Sequence, residues 1–402
     1  MSISTLILCS GVFSVAQGTR VASINAENAY VLTPTFEGND TGSFNSWTTT
    51  TTTTDASLNT LFGSTKNASF LSYDDSFLDI IGQTANFQLV EQRDEPFASE
   101  GGAWASDRNE VWFSSTVEGV PASTISILNL VNNSVSTPVF TGDPIPNPNG
   151  AYYYNGTMYF TTAGNATHAG GIVAIDPATK HVTTVINSYF GLRFNYIDDM
   201  AWVNVGGKDY MFFTDLGAPA LTGTFPALKD NPAPLLQNAV WRFDPARKSL
   251  RPVIPRSDVA IPNGVRANAD GTKLYVGDSS MSGLSGAANS SWGNGAIYEY
   301  DLNADGLPVT KSMFGLTRSG LADGMKVDDA GNVWTADYAG IWVQAPDGKT
   351  IGTIISTSLL VPNSALAIAN FALAGDVLVV LAQQRLYTLN LAKQIVAPGN
   401  LS

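Results

Sequence analysis

From residue 76 onward, apolar residues fall in short β-rich runs separated by turn-forming clusters, and the runs recur in one order. Each unit opens on a polar residue, usually followed by Gly, passes through a short strand and a turn rich in Asp, Asn or Gly, and ends in an apolar strand. The copies are Glu100-Gly101 leading to Val111-Trp112-Phe113, Asn149-Gly150 to Met158-Tyr159-Phe160, and Asp198-Asp199 to Tyr210-Met211-Phe212-Phe213. They continue with Asn263-Gly264 to Lys273-Leu274-Tyr275-Val276, Asp323-Gly324 to Asn332-Val333-Trp334, and Asn370 to Val377-Leu378-Val379-Val380. Further strand candidates lie between them, such as Gly171–Ile175, Ala239–Phe243 and Ala296–Tyr300, and an Asp or Asn turn follows each one. No long stretch keeps a helical period.

Six copies spaced about 45 to 65 residues apart match four-stranded antiparallel blades with some long loops. One blade cannot bury both faces of its sheet, whereas six stacked around an axis can. The pattern therefore predicts an all-β chain, a six-bladed β-propeller over residues 76–402. The strand at Phe87-Gln88-Leu89-Val90 is expected to complete the last blade, which ends near Leu386-Tyr387-Thr388-Leu389. Residues 19–75 lack periodicity and contain the run Thr48 to Thr54, so they read as an irregular, Thr-rich N-terminal extension.

Composition supports a large core, with 44% hydrophobic and 14% charged residues among 402. A formal net charge of -13 argues against a nucleic-acid partner, which is held mainly by Lys and Arg, and favours cations nearby. Met1 to Gly18 carry an apolar run and a Ser14-Val15-Ala16 cleavage pattern, which reads as a signal peptide with a weak basic start. Sequons at Asn39, Asn67, Asn132, Asn155, Asn165, Asn289 and Asn400 agree with a secreted, extracellular glycoprotein. Cys9, the single cysteine, would leave with the leader, which excludes disulfides and thiol chemistry from the mature chain. No other segment has the apolar length of a membrane span, and oligomeric state is not legible.

The innermost strand of every propeller blade starts at the same end of the channel, so the openers Glu100, Asn149, Asp198, Asn263, Asp323 and Asn370 are expected to converge there. Any one Asn-Gly or Asp-Gly pair, taken alone, reads as a turn. The shared register of six openers is what points to a site. Three carboxylates around one axis repel unless protonated or neutralised by a cation. Carboxylate and amide oxygens without thiolate favour one hard divalent cation, calcium first, with magnesium, manganese and zinc left open. His168 reads as an exposed loop residue and His181 as structural, and Trp104, Trp112 and Trp202 read as blade-packing residues.

The openers and their surroundings also resemble a known family. Glu100-Gly101, Ile261-Pro262-Asn263-Gly264-Val265 and Ala322-Asp323-Gly324-Met325-Lys326-Val327-Asp328 look like motifs of the gluconolactonase, senescence-marker-protein and calcium-dependent phosphotriesterase group. Asn147-Pro148-Asn149-Gly150, Tyr189-Phe190-Gly191-Leu192-Arg193-Phe194-Asn195 and the stretch from Ile341-Trp342-Val343 to Lys349-Thr350-Ile351-Gly352 resemble fungal lactonohydrolases, over about residues 76 to 392. The resemblance implies calcium held by Glu100, Asn263 and Asp323, with Asp198 at or beside the ion, and Asp323 also activating water. Members usually show Asn-Asp where this chain has Asp198-Asp199, so a carboxylate replaces an amide. Asn149, Arg193 and Asp199 are the expected substrate-facing residues, Arg193 through its donor fork.

The leading expectation is a secreted hydrolase that opens sugar lactones or aldonolactones. Two alternatives stay open: an organophosphate or ester hydrolase on the same metal, and a non-catalytic propeller whose structural metal serves a binding module.

Overall fold

The recurring strands fold as six blades around one axis, a six-bladed β-propeller. The computed structural model describes residues 21–37, 47–115, 122–217, 235–280, 295–317 and 319–396. The signal-peptide expectation at residues 1–18, Cys9, and the sequons at Asn39, Asn289 and Asn400 lie outside them. Asn67, Asn132 and Asn155 are exposed, and Asn165 is half-buried.

Blade 1 comprises the strands Glu100–Ala105, Glu110–Ser114, Ile125–Asn129 and Ser134–Ser136. Blade 2 runs Pro148–Tyr154, Thr157–Thr162, Gly171–Ile175 and His181–Ile186, and Thr141–Gly142 joins its outer edge in parallel. Blade 3 runs Ile197–Val205, Lys208–Asp215, Ala239–Asp244 and Ser249–Pro255. Blade 4 runs Pro262–Ala267, Lys273–Ser279, Gly295–Leu302 and Pro308–Leu316. Blade 5 runs Met325–Val327, Val333–Ala336, Gly340–Gln344 and Thr350–Ile355. Blade 6 has Asn370–Ala382 and Arg385–Ile395, and its outer strand is Phe87–Gln92, with Phe87 opposite Leu389. The ring thus closes by pairing a strand from before the first repeat with the last blade.

The second strand of a blade is covered on both faces, so it reads as an unbroken apolar run, such as Tyr210-Met211-Phe212-Phe213, all buried. Outer strands, such as Pro308–Leu316, are largely exposed. A separate apolar cluster fills each interface between blades. Trp112 and Phe160 lie between blades 1 and 2, Trp202 and Ile172 between 2 and 3, and Phe212 and Val265 between 3 and 4. Tyr275 and Met325 lie between blades 4 and 5, Trp334 and Phe371 between 5 and 6, and Val379 and Phe113 between 6 and 1. Tryptophan packing therefore matches expectation.

The segment before the propeller is more ordered than the irregular extension read from its composition. Phe70–Ser72 pairs with Thr350–Ile355, and Val21–Ser23 pairs with Phe70–Ser72, which widens blade 5 to six strands. Helix Asp75–Ile81 starts at an Asp74 cap that accepts from Ser76 N, and it spans the expected boundary at 75/76. It buries Phe77 completely against Gly352, whose missing Cβ would come within 2.1 Å of the ring. The Thr tract is partly absorbed too, because Thr48 and Thr51 are buried and Thr48 hydrogen-bonds Thr65. Threonine hydroxyls can satisfy one another, so a polar run can still be covered once Trp47 and Phe62 supply the apolar face.

Candidate functional site

The openers stand within two residues of the starts of the six innermost strands. In blades 1 to 4 the pairing register slips next to the opener, between Glu100 and Ala103, Pro148 and Ala151, Ile197 and Met200, and Pro262 and Val265. Such bulges re-aim side chains out of the ladder. The glycines that follow are there for space. A Cβ on Gly150 would lie 2.4 Å from Asp198 O, one on Gly264 2.2 Å from Asp323 O, and one on Gly324 2.3 Å from the Asn370 amide carbon. Each glycine lets the next blade's opener approach the axis. At these three positions φ is not in the left-handed region, so the polar-Gly pairs are close-packing devices of the channel and not turns.

The openers meet. Asn149 Nδ2 donates to Asp198 Oδ1 at 2.7 Å, and Asn370 Nδ2 donates to Glu100 Oε2 at 3.3 Å. Asn263 Nδ2 donates to Ser279 Oγ at 3.2 Å. Burial, followed by the Asp323 charge, pushes the Glu100 carboxyl well above the usual range. Burial, then Glu100 and Asp199, does the same to Asp198. Asp323 is raised by burial and then by Asp198 and Asp199. The carboxylates expected to share an axis therefore do sense one another.

Two buried cations stand among them, and the opener pattern did not reveal either. Arg266 Nη1 donates to Asp199 Oδ2 at 2.7 Å and to the carbonyls of Met200 and Val265 at 2.6 Å. Lys326 Nζ donates to Asn370 Oδ1 at 2.8 Å and to Gly101 O at 3.3 Å. Burial, then the Arg266 charge, holds the Lys326 ammonium well below its ordinary value. Both cations lie three residues after an opener, Asn263 or Asp323, and this offset was the available signal.

The donor set fits a hard divalent cation. Asn263 Oδ1 is buried and has no hydrogen-bond partner, an unusual state for an amide oxygen. When all are ionised, the four carboxylates Glu100, Asp198, Asp199 and Asp323 exceed the two basic side chains Arg266 and Lys326 by the charge that one divalent ion cancels, and without an ion the acids are pushed towards their neutral forms. Among the described residues no three His, Cys, Asp or Glu side chains form a metal cage by themselves. An amide oxygen would have to complete any ligand set here, and Asn263 offers one.

The other expected residues are placed as follows. Asp199 accepts from Arg266 and Val265 N on Oδ2 and from Met200 N on Oδ1, so its carboxylate is engaged within the protein. Arg193 Nη1 donates to Asn165 O at 3.1 Å, which ties two loops together. His168 is exposed and lines a cavity of about 220 Å³ with Pro144, Pro146, Thr162 and Asn187. A further set of acids went unread. Asp215, Asp278 and Asp337 lie at or beside the ends of the second strands of blades 3, 4 and 5 and accept backbone N–H groups of nearby loops, Tyr196 at 3.0 Å, Ile261 at 3.2 Å and Ala339 at 2.7 Å. Their signal was an Asp at one strand end in three successive repeats.

Residues 98–378 match the family model described as the SMP-30/gluconolactonase/LRE-like region. A gluconolactonase of Zymomonas mobilis is 27% identical over 271 residues, 64% of this chain and 69% of that protein. The lactonohydrolase oryL of Aspergillus oryzae is 25% identical over 342 residues, 78% of this chain and 73% of that protein. Among solved structures, a gluconolactonase of Xanthomonas campestris superposes with a TM-score of 0.62 at 20% identity, covering 80% of this chain and 93% of its own.

Proposed function

The chain belongs to the SMP-30/gluconolactonase/LRE-like family, and from that premise we propose that it hydrolyses lactones, sugar lactones or aldonolactones, in a site built on the six openers. The observation that carries this reading is the convergence of Glu100, half-buried, with the buried Asn263 and Asp323 in one cluster that contains an unbonded amide oxygen. Glu100, Asp198, Asn263 and Asp323 would hold one divalent cation, and mixed carboxylate and amide oxygens favour calcium. When bound, such an ion polarises a carbonyl and stabilises developing negative charge on it.

The residues of the chain do the rest. Asp323 takes a proton from a water as its oxygen attacks the lactone carbonyl carbon, which yields a tetrahedral oxyanion. Collapse re-forms the C=O bond and breaks the ring C–O bond, and the leaving ring oxygen takes the proton back from Asp323. The product is a hydroxy acid, and atoms and charge balance. Asn149 has its Nδ2 engaged by Asp198, so its Oδ1 is the atom that accepts from a substrate hydroxyl. Asp199, locked to Arg266, fixes the wall of the channel and acts on substrate only through that wall. Arg193 holds the Asn165 loop.

The experiment is hydrolysis of a panel of aldonolactones, aryl esters and a phosphotriester by the purified protein, before and after chelation. Lactone turnover that disappears with chelator and returns with calcium is expected, together with loss of about 100-fold or more in Asp323→Asn at unchanged fold. Full lactonase activity in the chelated protein, or in Asp323→Asn, would sink the assignment. Turnover of the phosphotriester alone would move the protein to the other hydrolase class.

A further inference from the structure

We propose that Lys326 is a positioning residue, which acts by turning the Asn370 amide so that its NH2 group grips one oxygen of Glu100. The inference rests on the cation site proposed above. The Asn370 atom at 2.8 Å from Lys326 Nζ is the amide oxygen, because a backbone N–H, which can only donate, meets the same atom. That backbone donor is Phe371 N, at 3.0 Å from the oxygen. The amide nitrogen is then the atom that faces Glu100, 3.3 Å from Oε2. Asn370 is 1% exposed and Lys326 5%, so solvent does not compete for either contact.

The three amide openers thereby divide into two jobs. Asn149 and Asn370 spend their NH2 groups on carboxylate oxygens, of Asp198 and Glu100, while Asn263 keeps a buried oxygen unbonded. Asn370 is thus no ligand, although it opens its repeat as the ligands do. It pins Oε2 of Glu100 and leaves Oε1 for the cluster.

A buried ammonium beside a cation site is a paradox on charge alone, because it repels the ion. Its electrostatic and geometric effects therefore have opposite signs, and this makes them separable. The experiment is calorimetric titration of calcium chloride into the metal-stripped full-length protein, for wild type, Lys326→Met, Asn370→Ala and the double variant. Positioning predicts that Lys326→Met weakens calcium binding about tenfold or more, the usual cost of losing an outer partner of a ligand. In the Asn370→Ala background no amide remains to be released, so the same change removes only a repulsive charge and tightens binding. Tighter binding in Lys326→Met alone, or a change of one sign in both backgrounds, would overturn the proposal. Should Lys326→Met not fold, Asn370→Ala decides alone, since undiminished affinity there removes the grip on Glu100. Wild type that binds no calcium would instead overturn the cation site itself, and that result is visible before any variant is made.

Discussion

At the residue scale, the site is a contest between burial and charge. Glu100, Asp198 and Asp323 are all pushed up by burial first and by one another second, so without a cation the cluster is an electrostatic load on the fold. Asp198→Asn removes one charge and keeps the Asn149 bond, because the new amide oxygen can stand where Oδ1 stands. We expect the cation-free variant to melt about 2 °C or more above wild type and to bind calcium about tenfold more weakly. Scanning calorimetry with and without chelator measures both, and a lower cation-free melting temperature would show that Asp198 does not burden the apo protein. The openers were legible because six of them fall in register. Arg266 and Lys326 were not, because an Arg or Lys in a strand reads as exposed until its neighbours are known.

Among the elements, the innermost strands depend on glycine for the approach of the next blade. Gly264→Ala would place a methyl 2.2 Å from Asp323 O, a backbone atom that cannot swing aside. Gly63, inside helix Ala56–Ser64, has nothing within 4 Å of its missing Cβ and serves as the control. Urea denaturation should show a loss of about 1 to 3 kcal/mol for Gly264→Ala and a gain of up to about 1 kcal/mol for Gly63→Ala. Equal effects would refute the close-packing role. The N-terminal segment makes a second test. Phe77 is fully buried against blade 5, so Phe77→Ala should cost about 3 to 5 kcal/mol, whereas a loosely attached extension would lose almost nothing. Composition hid this segment because a few short helices and strands of unequal length carry no repeat.

For the whole molecule, stability should vary with pH through buried acids at the strand ends beside the openers, Asp215 standing opposite Ile197. Burial pushes both Asp215 and Asp337 up from 3.8 to about 6. Between those values the folded protein binds more protons at these sites than the unfolded chain does. Their contribution is therefore complete below about pH 4 and is lost as pH rises through 6, by roughly 3 kcal/mol for a fully buried site. Asp74 works the other way, since the Lys349 ammonium holds it low and its contribution is lost on acidification. Urea midpoints of the metal-stripped protein should fall from pH 4.5 to pH 7, and Asp215→Asn should flatten that slope whatever it does to stability overall. An unchanged slope in the variant would remove Asp215 from the account.

The sequence by itself determined the architecture and its closure, since a blade is a local unit whose apolar runs, turns and opener recur every time it is built. It also determined which oxygen-bearing side chains face the axis, through register alone. Only the tertiary structure decided what each of them does there. Whether an amide turns its oxygen or its nitrogen inward, as Asn263 and Asn370 do differently, depends on donors contributed by other blades. Asp199 became a partner of Arg266, and Arg193 a tie between loops, for the same reason. Hydrogen bonds and ion pairs act over about 3 Å between residues distant in the chain, so identity and spacing nominate the members of a site while three-dimensional packing assigns their roles.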